Sequence, residues 1–345
     1  MTPLFRPDCV VRPAVREDAE AVLALLHANS LAISGEIDQS LTDLFEEWDD
    51  PELDLARDSR LVFAPDGRLI AYAVLWSKSR AALPFADIFL HVSEWATDTV
   101  TEPALLAWAE ERARENIPDL APELRVAVRV YCDSRETRLL NILEAQGYSA
   151  IRHSFRMGIT FDGPPDPGAW PEGFTLRVAE KDDDPLPALD AFLDAWRDHF
   201  GYLEVPYETR LEAWLHHWRE SFAPGLWLLA MDGETVAGLC LNLPRYGEDE
   251  ANGFVEIVAV RRAYRRRGVA EALLRRSFAA LHAAGKTTVY LYVDGESLTG
   301  ATRLYERVGM SVTSRYILNE KELRPGLDPS TSEAGVASAA GAGEP

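Results

Sequence analysis

Phe254-Val255-Glu256-Ile257-Val258-Ala259-Val260-Arg261-Arg262-Ala263-Tyr264-Arg265-Arg266-Arg267-Gly268-Val269-Ala270-Glu271-Ala272-Leu273-Leu274 joins an apolar run to an amphipathic one through a basic turn. The run from Phe254 to Val260 has the length and β-branching of a buried strand. From Gly268 to Ala284 the period changes, and Val269, Leu273, Ser277 and Leu281 fall on one helical stripe. A helix N-terminus presents unpaired N–H groups and the positive end of the helix dipole. Small residues such as Gly268 and Ala270 let a phosphate come close to that backbone. Arg265, Arg266 and Arg267 add long-range attraction. The stretch predicts an anion site, preferably for a diphosphate. The alternative is a solvated basic turn ahead of an amphipathic helix.

Working outward, the same order of elements occurs twice. One half runs from about Val10 to Phe161 and the other from about Phe174 to Glu322. In the second half, Leu226–Met231, the Asp232-Gly233 turn and Thr235–Asn242 read as a hairpin ahead of the quoted strand. In the first half, Leu61–Ala64, Pro65-Asp66-Gly67 and Leu69–Trp76 do the same, followed by an apolar strand at Phe85–Val92 and a helix at Thr101–Glu115. Each half continues with a strand, Leu124–Tyr131 or Thr287–Val293, then a short helix and a closing strand. The letters also match: Val130-Tyr131-Cys132-Asp133 parallels Leu291-Tyr292-Val293-Asp294. The expected fold is α/β, with two tandem domains, each a mixed, mostly antiparallel sheet flanked by helices. The domains fall at 1–161 and 174–322. They are separated by a Pro/Gly linker over 162–173 and followed by a disordered tail over 323–345.

The 345 residues are 47% apolar, enough for two sizeable cores. No apolar run reaches the roughly 18 residues of a membrane span, and Met1 to Asp8 holds no secretory signal. A cytoplasmic protein with no membrane partner is expected. A formal net charge of −21 argues against nucleic acid, which needs a basic footprint. Cys9, Cys132 and Cys240 are too far apart in sequence for a disulfide framework or a zinc site, so no metal is expected. His216 and His217 point in different helix directions and read as solvated or satisfied histidines.

Arg265-x-x-Gly268-x-Ala270 after an apolar strand resembles the Arg/Gln-x-x-Gly-x-Gly/Ala signature of GNAT N-acetyltransferases. Ala301-Thr302-Arg303-Leu304-Tyr305-Glu306-Arg307-Val308-Gly309-Met310 is similar to a second segment of that family. The tandem arrangement resembles mycothiol synthase-like actinobacterial proteins. The resemblance implies acetyl-CoA as co-substrate. Backbone groups of Val258, Ala259 and Val260 would pair with its pantetheine arm. N–H groups from Arg266 through Gly268, Val269 and Ala270 to Glu271 would hold its pyrophosphate. Tyr305 would protonate the departing thiolate. The family often has Asn where this chain has Ser297-Leu298-Thr299, so Ser297 or Thr299 would make that contact instead.

Glu256 lies in an otherwise apolar strand, where burial raises a carboxyl pKa and suits it to act as general base, directly or through water. The alternative is a solvent-facing or salt-bridged glutamate. Tyr292 and Asp294 end the next strand. Asp198 and His199 lie between two helices, where polar and aromatic side chains suit a lid. These four are candidate contacts to the acceptor. In the first half, Thr97 stands for Arg265, Val100 for Gly268, Glu102 for Ala270 and Leu143 for Tyr305. The expected activity is N-acetylation of a primary amine on a small molecule by the C-terminal half, with the N-terminal half non-catalytic, in a monomer or homodimer. A non-catalytic acyl-CoA-binding or sensing module, or an enzyme acting on a protein or peptide amine, is the alternative.

Overall fold

A computed structural model provides the fold. It describes residues 5–37, 39–50, 53–76, 85–90 (backbone alone), 99–197, 199–200, 202, 206–296 and 300–328. The chain forms two units. One comprises Met1–Ser154 and Ser314–Pro329, and the other contains Phe155–Thr313.

In the first unit β1 (Val10–Arg12) is followed by α1 (Ala19–Ile33), α2 (Leu41–Trp48) and α3 (Leu55–Asp58). The hairpin read from Pro65-Asp66-Gly67 is present as β2 (Ser59–Phe63) and β3 (Leu69–Trp76). Next come β4 (Phe85–Leu90), α4 (Thr101–Glu115), β5 (Val126–Asp133) and α5 (Thr137–Ala145). The strands lie in the order β1-β2-β3-β4-β5-β12, where β12 is Ser311–Arg324. Only the β4–β5 pair among the described registers of this sheet is parallel. Most of β3 is buried on both faces, as expected of a strand covered by helices on either side.

The second unit repeats the plan. It contains β7 (Thr175–Val178), α6 (Leu186–Trp196), α7 (Tyr207–Glu220), β8 (Leu228–Asp232), β9 (Thr235–Leu243), β10 (Asn252–Val260), α8 (Val269–Ala283), β11 (Thr288–Asp294) and α9 (Ala301–Arg307). Its strand order is β6-β11-β10-β9-β8-β7, where β6 is Ser149–Thr160. The helical stripe expected on α8 is the buried one: Val269, Leu273, Ser277 and Leu281 are all at most 1% exposed.

The chain-order boundaries at 161 and 174 differ from the division made by packing. Each closing strand leaves its own half. Tyr316 to Arg324 of β12 pair antiparallel with β5, where Glu320 accepts from Arg129 at 2.8 Å and from Arg125 at 2.5 Å. Beyond β6, Phe161 donates its backbone N–H to Thr287 at 2.8 Å, extending the second sheet. The first sheet therefore includes residues from the end of the chain. Ordered structure also passes the expected limit at 322, because β12 continues to Arg324 and Leu327 bridges Leu124. The tail expected to be disordered lies, from 329 onward, outside the described residues.

Candidate active site

The strands β10 and β11 set the geometry. They run parallel and are paired from Asn252↔Thr288 to Phe254↔Tyr290, where the ladder ends. Both continue, β10 to Val260 and β11 to Asp294. On its other side β10 stays paired with β9, with Val258 opposite Cys240, Ala259 opposite Leu239 and Val260 opposite Gly238. The strands thus splay, and one backbone edge of β10 is open at the three residues expected to pair with a pantetheine arm. An open edge is a row of N–H and C=O groups that an extended ligand can join. Gly238 permits the close packing that holds this arrangement. A Cβ there would lie 2.9 Å from the Ala259 carbonyl oxygen and 3.3 Å from Val269 Cγ1.

A sharp turn leads from β10 into α8. Arg266 (φ 60°) and Gly268 (φ 80°) both lie in the left-handed region, and Arg266 is the only non-glycine residue with positive φ among those described. Gly268 is the N-cap of α8, which no side chain caps. The free N–H groups of the first turn therefore face outward from an exposed Gly268.

The arginines around this turn mainly brace it. Arg265 donates from Nε to the Val260 carbonyl at 3.3 Å and from Nη2 to the Ala195 carbonyl at 3.2 Å. Arg261 donates to the Val236 carbonyl at 2.8 Å, and the Arg262 backbone N–H donates to Asp194 at 2.9 Å. The Arg267 guanidinium lies 4.4 Å from the Phe174 ring centre and 5.6 Å from that of Tyr264. Glu271 is taken up by Arg275 at 3.1 Å.

Tyr305, on α9, is 9% exposed. Burial and the nearby Cys240 raise its phenol pKa above the ordinary value. Cys240 pairs with Val258, so Tyr305 lies at the level of the splay. Glu256 sits where the β9–β10 register shifts between Val255 and Ile257, a bulge that re-aims its side chain. Desolvation raises its carboxyl to about 7. Its Oε2 lies 3.4 Å from His217 Nε2 on α7, so the reading of Glu256 as solvent-facing does not hold.

Tyr292 is 46% exposed, and its hydroxyl is 2.7 Å from that of Tyr246. Asp294 accepts the Glu296 backbone N–H at 3.2 Å. The His199 ring stacks on Trp196, 3.9 Å between centres, at the end of the helix that braces the turn. Asp198, Ser297 and Thr299 lie outside the described residues, as do Ser93–Asp98 of the first half. Among the described residues, no group of three or more His, Cys, Asp or Glu could hold a metal ion, and no helix is long and apolar enough to cross a membrane.

Three contributors escaped the sequence. His217 is joined to Glu256 across a helix–strand contact with no local signature. Tyr246 stacks on Phe254 at 5.2 Å and meets Tyr290 at 5.0 Å. Arg156, 1% exposed, lies 5.0 Å from the Tyr290 ring centre and donates to Thr313 at 3.0 Å. An aromatic wall is visible in the composition around 290, but its partners lie in distant segments.

The corresponding region of the first unit has different chemistry. Glu102, in the first turn of α4, is 4% exposed and ion-paired with Arg138 at 2.8 Å. Burial and the neighbouring charges of Asp133 and Glu102 push Glu136 up to about 7. Leu143, opposite Tyr305 in the alignment of halves, is fully buried.

The model of the Acetyltransferase (GNAT) family matches residues 189–310, which contain the splay, the turn and Tyr305. A solved GCN5-related N-acetyltransferase from Sphaerobacter thermophilus is 33% identical, with a TM-score of 0.79, over 95% of this chain and 100% of that one. The chain belongs to the GNAT acetyltransferase family. A tandem GNAT protein from the clavulanic acid biosynthesis pathway shares the fold at 15% identity (TM-score 0.68), covering 92% of this chain and all of that one. So does a protein from Pyrococcus horikoshii at 13% identity (TM-score 0.57), covering 96% and 94%. No curated protein matches the sequence. GNAT proteins bind acetyl-CoA and their fold supports acyl transfer from acyl-CoA, so the open edge, the turn and the buried phenol can be read against that chemistry.

Proposed function

We propose that the second unit transfers the acetyl group of acetyl-CoA directly to a primary amine of a small molecule, and that the first unit is non-catalytic. The observation that carries this reading is the splay of β10 and β11 beside a left-handed turn at an uncapped helix N-terminus. The open edge at Val258, Ala259 and Val260 suits a pantetheine amide. The N–H groups from Arg266 to Glu271 suit a pyrophosphate. Acetyl-CoA would supply an activated thioester. Holding it against the amine provides much of the acceleration.

Glu256 takes a proton from the acceptor ammonium, freeing the nitrogen lone pair for attack on the thioester carbonyl. A carboxyl near 7 is matched to that task at neutral pH. Tyr305 gives its phenolic proton to the departing thiolate. Burial keeps that phenol protonated until a stronger base forms beside it. Tyr292, Asp294 and His199 are proposed acceptor contacts. In the first unit, the start of α4 carries Glu102, paired with Arg138, where the second unit has the small Ala270 beside its turn.

The test is release of CoA thiol with a panel of amines: glucosamine, an aminoglycoside, a cysteinyl amino sugar and amino-acid amides. The cysteinyl sugar is included because the order of elements in the sequence resembles that of mycothiol synthase-like proteins. Gly268→Glu is expected to abolish release, since it adds strain and a carboxylate at the turn. Tyr305→Phe is expected to lower kcat by about 10²-fold or more, in the range of a lost proton transfer. Unchanged turnover in Gly268→Glu would refute the assigned turn. Tight acetyl-CoA binding with no turnover on any amine would favour a sensing module instead.

A further inference from the structure

Glu256 and His217 are both largely enclosed, with side chains 28% and 21% exposed. Glu256 Oε2 and His217 Nε2 face each other at 3.4 Å, beyond good hydrogen-bond geometry, and neither atom has another hydrogen-bond partner. Buried polar atoms left in this state cost free energy and cluster at functional sites. The imidazole is fixed from behind. Its ring lies nearly parallel to that of Trp227, at 15° and 5.3 Å, and Trp227 is fully buried. Trp214 stands 6.1 Å away on the same helix. The bulge at Val255/Ile257 turns Glu256 toward this ring.

Among the described residues, several ionisable and polar groups on the elements around Glu256 are engaged elsewhere. His216 is the one charge felt by His217, and no charged neighbour shifts Glu256. From α6, packed on β10, Asp190 engages Tyr207 and Asp194 accepts from Arg262. From α8, Glu271 engages Arg275. On β9, Asn242 lies beside the bulge and donates to the Leu226 carbonyl at 2.5 Å and to Ser277 at 3.0 Å.

We propose that His217 is a positioning residue for the reaction: its Nε2–H closes on Glu256 Oε2 and holds the carboxylate in its ionised form, aimed at the acceptor ammonium. The proposal rests on Glu256 being the base. In the step itself the ammonium N–H bond breaks, the Glu256 O–H bond forms, and the amine keeps the electron pair. His217 remains neutral at the outset because burial and His216 hold its pKa below the ordinary value. A donor to the charged form favours that form. Removing the imidazole should therefore raise the carboxyl further, and with it the limb of the rate profile.

The substrate-free test is titration of the His217 ring nitrogens by ¹⁵N NMR in the full chain. A second inflection near pH 7 is expected in the native protein and should vanish in Glu256→Gln. Identical curves in the two proteins would overturn the proposal. The kinetic test follows CoA thiol release with the most active amine of the panel. In His217→Phe the pH limb is expected to move up by about one unit, which is about a tenfold loss at pH values below it. KM should change less than twofold. His217→Gln, which keeps an N–H donor, should recover most of the shift, and it guards against a folding defect in the Phe variant. An unmoved limb in His217→Phe, with the limb abolished in Glu256→Gln, overturns the role of His217 alone. A limb that persists in Glu256→Gln overturns the assignment of the base, and His217's role with it.

Discussion

Two left-handed residues bend the chain out of β10 into α8, and they are not equivalent. Gly268 adopts φ 80° without steric cost, whereas Arg266 carries a side chain at φ 60°. Such conformations persist where surrounding contacts enforce them, and here Arg265, Arg261 and Arg267 brace the turn on either side. Two of the three arginines read from the sequence as attraction for phosphate, Arg265 and Arg267, thus make bracing contacts. Glu256 carries a different cost. Its carboxyl has an ordinary pKa of 4.5 and is held near 7 in the fold. The folded state therefore binds the proton more tightly than the unfolded one. Stability is unaffected below pH 4.5, falls as the pH rises from there to 7, and bears the full penalty above. Glu256→Gln should raise stability by about 1–3 kcal/mol at pH 8. Thermal melts at pH 8 and pH 4.5 check this: the gain in Tm should be present at the first and absent at the second. The burial of Glu256 was legible, because a lone acid in Val255-Glu256-Ile257-Val258 has apolar neighbours. Its contact with His217 was not, since it depends on a bulge and on how α7 lies across the strand.

At the scale of elements, the period of the sequence carried most of the information. Four residues at helical spacing gave the buried face of α8, and Asp232-Gly233 gave the β8–β9 turn. The splay was invisible, because nothing in the residues of β10 or β11 marks where their ladder stops. Gly238 is its support. Gly238→Val would force branched carbons against the Ala259 carbonyl and Val269, pushing β9 from β10 and tilting the start of α8. Overpacking of this kind costs about 1–3 kcal/mol. We expect a lower denaturant midpoint together with weaker acetyl-CoA binding by calorimetry. A stability loss with unchanged binding would mean that the edge of β10 tolerates the shift.

At the scale of the whole molecule, the duplication was plain in the order of elements, and the divergence of the halves was plain in Glu102 and Leu143. The first unit differs from the second at the start of its central helix. Its helix start holds the buried Glu102 carboxylate paired with a partly exposed Arg138, and removing Arg138 would leave Glu102 a desolvated charge. Calorimetry with acetyl-CoA should therefore give a stoichiometry near one per chain, and Gly268→Glu should reduce it to none. A stoichiometry near two would show that the first unit still binds. The destination of the closing strands was not legible. β6 and β12 satisfy the same local pattern, and which sheet completes itself with which strand depends on pairings far apart in the chain.

That exchange of closing strands bears on how the protein is made. Synthesis delivers β5 long before Tyr316–Arg324, the residues that cover its edge and neutralise Arg125 and Arg129. The first half emerges with the edge of β5 uncovered and with Arg125 and Arg129 still lacking Glu320. It can complete its sheet only after nearly the whole second half has been translated. The segment that closes the second sheet, by contrast, is already waiting. The sheet whose strands are synthesised first is thus the one whose closing strand is synthesised last. A cut at Thr313 would remove the strand that completes the first sheet, although it falls at the end of the second unit.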